Sequence, residues 1–185
     1  MKISIGSGET PENDYITIDI DPNTQPNHVL NLETDTLPFA DSSVKVVKAH
    51  HIFEHLGEGF FHCMQELYRV CEHGAIIDIR VPHPKHESFL ADPTHRRPII
   101  PLTFQLFSKK FNELCRKNKE PASRLGEYYE VDFEIVDFEY IPDTHELNFL
   151  QSQGISPYQD IQKYAEHHNN LISEIHIKLV VLKND

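Results

Sequence analysis

Two short apolar runs, each stopped by residues suited to a ligand, constrain this chain more than any other feature. Ile3-Ser4-Ile5 runs into Gly6-Ser7-Gly8, and Tyr15-Ile16-Thr17-Ile18 runs into Asp19. A buried strand that turns at Gly-x-Gly lets backbone approach a ligand closely, because glycine has no Cβ to obstruct it. In open α/β sheets, a carboxylate at the C-terminal end of the next strand can accept hydrogen bonds from ribose hydroxyls, beside the switch point where ligands bind. The order predicts an α/β fold with a nucleotide-type cofactor at Gly6, Gly8 and Asp19.

Periodicity extends the α/β pattern along the chain. Apolar runs recur at 28–32, 44–49 and 75–81, and Phe60, Phe61, Met64, Leu67, Tyr68 and Cys71 fall at helical spacing. That spacing predicts a helix over about 59–72, ended by His73-Gly74. Strand, helix, strand implies a right-handed parallel crossover. Pro82 stops the strand at 75–81, and residues 82–101, with five prolines, read as an ordered loop on the ligand side. A helix is expected over 103–118. Tyr129 to Ile141 and Ser173 to Leu182 alternate apolar and polar residues as half-exposed antiparallel strands do, with a helix over 157–168 between them. The whole chain, 1–185, reads as a single domain.

Charge and cysteine usage narrow the partners. Seventeen Lys and Arg against twenty-nine Asp and Glu give a formal charge of −12, which repels a phosphate backbone and argues against nucleic acid. The short basic clusters, His95-Arg96-Arg97 and Lys109-Lys110 with Arg116-Lys117-Lys119, read as solvated faces or a local anion contact. Cys63, Cys71 and Cys115 lack metal-type spacing and are assigned to packing in a reduced, cytoplasmic compartment, with no metal site expected. No apolar run approaches the roughly twenty residues of a membrane span, so no membrane partner is expected.

The motifs together resemble a class I S-adenosylmethionine-dependent methyltransferase of the small bacterial subgroup called methyltransferase domain 11. Ile5-Gly6-Ser7-Gly8 matches its first motif, Ile18-Asp19-Ile20-Asp21-Pro22 its acidic second-strand end, and Leu37-Pro38-Phe39 its Leu-Pro-Phe segment. His51-Ile52-Phe53-Glu54-His55 matches its fourth-strand exit, and Glu66-Leu67-Tyr68-Arg69-Val70 its next helix. The resemblance implies a Rossmann-like, mostly parallel sheet with an antiparallel C-terminal strand, and S-adenosylmethionine as cofactor. It places the methionine part near Gly6, Ser7 and Gly8, the ribose on Asp19, and the adenine near Ile20, Asn31 and Leu32, with His50 and His51 beside the reactive centre. His51 and then His95 are the candidate bases. His83, Thr94 and Arg96 are candidates for binding a small-molecule or saccharide acceptor, and His86 is a further one.

Three departures from the family pattern stand out. Only six residues separate Gly8 from Tyr15, so the first crossover is expected to be a loop, and the N-terminal helices are reduced. Acceptor selection then falls to 82–101 and 142–170, and a homodimer is compatible with that. Asn31 and Lys45 stand where the family commonly has Asp. Two other readings stay open. One is a degenerate, non-catalytic domain that keeps the fold as a binding module. The other is a zinc hydrolase, since His51-x-x-Glu54-His55 spells the pattern of two histidines on one helical face with a glutamate base.

Overall fold

The computed structural model describes residues 1–9, 13–156 and 161–183. Its strands are β1 (Lys2–Ile5), β2 (Ile16–Asp19), β3 (His28–Val29), β4 (Val44–His50), β5 (Cys71–Pro82), β6 (Phe133–Pro142) and β7 (Ile172–Val181). Its helices are α1 (Phe60–Val70), α2 (Glu87–Ala91), α3 (Pro101–Gln105), α4 (Lys109–Asn118), α5 (Leu125–Tyr128), α6 (Thr144–Ser152) and α7 (Ile161–His167). The strands form one sheet in the order β3-β2-β1-β4-β5-β7-β6. β1 to β5 run parallel, and β7 enters antiparallel between β5 and β6. The strand order turns back between β1 and β4, which is where an open α/β sheet forms its ligand crevice.

Alternation gives this sheet two unlike faces. Ile5, Ala49, Ile79 and Ile177 are successive cross-strand neighbours, all fully buried in one core. Phe60, Cys63, Met64, Leu67 and Val70 of α1 and Phe104 of α3 pack into the same core. The opposite face is polar. Ser4, Lys48, Asp78, Lys178 and Asp137 follow one another across five strands, alternating in charge along the last four. Parallel sheets normally bury both faces under crossover helices. Among the described residues the crossovers that join β1 to β4 hold only a 3₁₀ turn at Pro22–Thr24, so the reduction expected from sequence is present; on the polar face Ser4 is buried, whereas Lys178 and Asp137 meet solvent.

Several boundaries differ from those expected. The helix predicted over 59–72 ends at Val70, and Cys71 opens β5 directly. Gly74 is therefore no helix cap. It sits inside β5 at φ +80°, where the ladder passes from Val44 opposite Cys71 to Val46 opposite Ile76, so β5 bulges and a left-handed residue absorbs the extra length. The helix predicted over 103–118 is two, because the Ser108 hydroxyl accepts from Phe111 N–H (3.1 Å) and caps a new start at α4. The strand predicted from Tyr129 begins at Phe133, since α5 precedes it and Glu130 adopts φ +56°. Residues 157–160, the start of the helix expected over 157–168, lie outside the described residues, whereas Ile161–His167 is helical. The proline-rich stretch carries α2, which the His86 ring caps by accepting from Ser88 N–H.

Candidate functional site

The C-terminal ends of β1, β2, β4 and β5 and the first residues of β7 form one edge of the sheet. Gly6 and Gly8 leave β1 at φ +60° and +55°. A Cβ on Gly6 would lie 2.7 Å from Ile52, the residue after His51, whereas one on Gly8 would meet nothing within 4 Å among the described residues. Gly6 is thus required by packing and Gly8 by conformation, with open space beside it. Gly8 N–H donates to Asp19 Oδ2 (2.8 Å) and Asp21 N–H to Asp19 Oδ1 (2.9 Å). Asp19 therefore braces the glycine turn and also closes its own Asx turn, while each oxygen keeps a lone pair for a further donor. Ser7 N–H donates to Ile18 O (3.2 Å). Ile20 beyond it is 64% exposed, and Leu32 is buried.

Two of the expected cofactor contacts also hold partners within the chain. Asn31 Oδ1 accepts from Glu33 N–H (2.9 Å), closing a local turn, and keeps one lone pair for a further donor. His50 lies on the polar face with Nε2 2.9 Å from Asp78 Oδ2, and this contact holds Asp78 below the usual carboxylate range against the opposing effect of burial.

A cavity of about 460 Å³ opens at the same edge, lined by His51, His86, Ser88, His95, Ser173 and Glu174 among others. It brings together the two histidines predicted as bases. His51 takes φ +53°, donates its N–H to Arg80 O (2.8 Å), and sets Nε2 2.7 Å from Glu174 Oε1 and Nδ1 3.5 Å from Glu54 Oε1. Those carboxylates, Glu54 foremost and Glu174 with it, hold His51 above the ordinary imidazole range although burial opposes them. Glu174 also pairs with His176. His95 stacks on Phe89 and places Nδ1 2.8 Å from Phe89 O, which fixes the proton on Nδ1.

Of the acceptor candidates His86 lines this cavity, whereas His83, Thr94 and Arg96 do not. Thr94 donates N–H and hydroxyl to Asp92 Oδ1 (2.8 and 2.6 Å), and these bonds hold Asp92 below the usual carboxylate range. Arg96 N–H donates to Glu54 O (2.8 Å). His83 sits edge-on to Tyr140, pushed below its ordinary range by burial and then by Lys85 and His86. Glu174 escaped the sequence reading because only the pairing of Pro82 with Glu174 across β5 and β7 carries it to the site. A larger hollow, about 710 Å³ between α4 and β6, is lined by Phe111, Leu114 and Phe138 and by none of the candidate site residues.

The metalloprotease geometry is absent. Residues Phe53–His55 form a single 3₁₀ turn and His51 precedes it in a left-handed conformation, so His51 and His55 do not share a helical face. His51 turns instead to Glu174, and His55 Nδ1 lies 2.9 Å from Thr94 Oγ1.

The strand order, with β7 antiparallel and a left-handed glycine turn at the switch point, defines the class I S-adenosylmethionine-dependent methyltransferase fold. Solved structures agree. An S-adenosylmethionine-dependent methyltransferase from Archaeoglobus fulgidus superposes with a TM-score of 0.63 at 18% identity, covering 97% of this chain and 85% of that one. The YcgJ protein of Bacillus subtilis gives 0.56 at 12% identity, covering 100% and 92%. The [4+2]-cyclase SpnF gives 0.54 at 12% identity, covering 99% and 75%. At such identities the likeness is one of fold, and the cyclase shows that the fold is not confined to one chemistry. No family model and no curated protein matches the sequence. No helix among the described residues is long and apolar enough to cross a membrane.

Proposed function

We propose that the chain is an S-adenosylmethionine-dependent methyltransferase that methylates an oxygen or nitrogen of a small molecule or saccharide. The observation that carries this is the coincidence, at one sheet edge, of the Gly6–Gly8 turn, Asp19 and the cavity containing His51. The donor set fits the cofactor: open space beside Gly8, a carboxylate with lone pairs for ribose hydroxyls, and an exposed apolar Ile20 for the adenine ring. The bound cofactor supplies an activated methyl group on a sulfonium. The protein's own task is then to hold the acceptor in line and take up its proton, and positioning is the larger contribution. His51 touches both halves of the site, since Ile52 beside it packs on Gly6 while its ring lines the cavity. We assign it the proton-accepting role with Glu174 orienting the ring, and we place acceptor selection on 82–101 and 142–170.

Calorimetric titration with S-adenosylhomocysteine tests this. One site of micromolar affinity, weakened at least tenfold by Asp19→Ala and unchanged by His51→Ala, is the expected outcome. The reduced first crossovers favour the second reading, a non-catalytic module that keeps the fold. Absence of saturable binding in the folded protein supports that module and contradicts the enzyme.

A further inference from the structure

Glu54 is 1% exposed, and neither of its carboxylate oxygens has a hydrogen-bond partner. An unpaired buried carboxylate costs several kcal/mol in general, so its surroundings must supply compensation. His51 Nδ1, 3.5 Å from Oε1, is within ion-pair distance but beyond good hydrogen-bond range. Two other imidazoles form a cluster with Glu54. One donor atom each from Glu54, His55 and His95 lie within 4.8 Å of one another.

The two histidines are already oriented as ligands. Thr94 gives its hydroxyl proton to Asp92 Oδ1 (2.6 Å), so Oγ1 receives a proton from His55 Nδ1 (2.9 Å). His95 Nδ1 donates to Phe89 O (2.8 Å). Both rings therefore carry the proton on Nδ1 and offer an unprotonated Nε2. Metal-binding histidines are held in this way, with the second ring nitrogen donating to a carboxylate, a backbone carbonyl or water, and the Thr94 hydroxyl takes that place for His55. Edge-on contact of the two rings (centroids 4.6 Å) and stacking of His95 on Phe89 restrict both rotamers.

We propose that Glu54, His55 and His95 bind a divalent first-row transition ion such as Zn²⁺. Two imidazoles and a carboxylate suit borderline ions better than Mg²⁺ or Ca²⁺, which prefer all-oxygen sites. Bonds of about 2.0–2.1 Å bring tetrahedral donors to about 3.4 Å apart, so the three groups need only a small closure. Three protein ligands leave a coordination position open, and Asp92 Oδ2 lies 3.9 Å from His95 Nε2. The ion would tie the turn at Phe53–His55 to the Asp92-Pro93-Thr94-His95 segment and stand in the wall of the cavity that His95 lines. This donor set differs from the metalloprotease pattern: Glu54 is a ligand and His51 is not. The site stands independently of methyl transfer.

The test is titration of chelator-stripped, full-length protein with Zn²⁺ by calorimetry and with Co²⁺ by visible absorption. One ion per chain is expected, with micromolar or tighter affinity for Zn²⁺. Glu54→Gln and His95→Ala should each weaken binding at least 100-fold, and Thr94→Val about tenfold by releasing the His55 tautomer. Circular dichroism shows whether each variant folds. Glu54→Gln and Thr94→Val keep side-chain volume, so the result stands even if His95→Ala does not fold. No saturable binding, binding unaltered in folded Glu54→Gln, or Mg²⁺ bound as tightly as Zn²⁺ would overturn the assignment. Failure of S-adenosylhomocysteine to bind leaves it untouched.

Discussion

Arg69 divides its donors between Glu66, one turn before it on α1, and the segment from Leu37 to Asp41. Its Nε and Nη2 donate to Glu66 (2.9 and 2.8 Å), Nη2 also to Leu37 O (2.8 Å), and Nη1 to Phe39 O (2.9 Å) and Asp41 (2.7 Å). Glu66 accepts Leu37 N–H as well (2.7 Å). The Leu-Pro-Phe motif is thereby clamped to α1, and its role is structural. Replacing Arg69 by Ala strands several acceptors, and urea unfolding should show a loss of about 2–3 kcal/mol. The pH dependence follows from Glu66, which Arg69 holds below its ordinary value of 4.5. A depressed carboxylate contributes stability above its ordinary value that is lost as pH falls through the folded one, so Arg69→Ala should flatten the acid limb of the stability curve below about pH 5. The motif itself was legible in sequence, but its partners lie some thirty positions away and only packing on α1 reveals them. Asp19 was legible for a local reason, since it ends an apolar run, while its second duty as a brace for Gly8 needed coordinates.

At the level of elements, the polar row across β4, β5, β7 and β6 explains how a parallel sheet lives with one uncovered face. Lys48, Asp78, Lys178 and Asp137 alternate in sign, and cross-strand pairs of opposite charge each contribute roughly 0.2–1 kcal/mol. Asp78→Lys would set three cations side by side, and thermal unfolding should show about 1 kcal/mol lost, more at low salt and less at high salt. An unchanged melting curve at low salt would mean the row contributes nothing. Half of this was readable beforehand. The alternation in Ser173 to Leu182 announces an exposed face, whereas the runs at 44–49 and 75–81 read only as apolar, and the same period at Lys48-Ala49 and Asp78-Ile79-Arg80 does not stand out within them. Alternation states that one face is wet; the register that sets each charge opposite its complement comes only from the folded sheet. Break points were similarly hidden, because Ser108 as a helix cap and Gly74 as a bulge residue depend on what their neighbours pair with.

For the molecule as a whole, the reduced crossovers leave the glycine turn, Asp19 and the cavity at His51 at the same sheet edge, with 82–101 over it. The mostly parallel sheet with an antiparallel C-terminal strand was implied by the resemblance and is present. The gathering of Glu54, His55 and His95 was not visible, since forty residues separate the turn from the loop that meets it. The most direct measurement is a crystal structure of the chain with S-adenosylhomocysteine. It should show the ribose on Asp19, the amino-acid end beside Gly6, Ser7 and Gly8, and the sulfur toward His51. Density for the ligand in the hollow between α4 and β6, or none at saturating concentration, would contradict a methyltransferase site at the sheet edge.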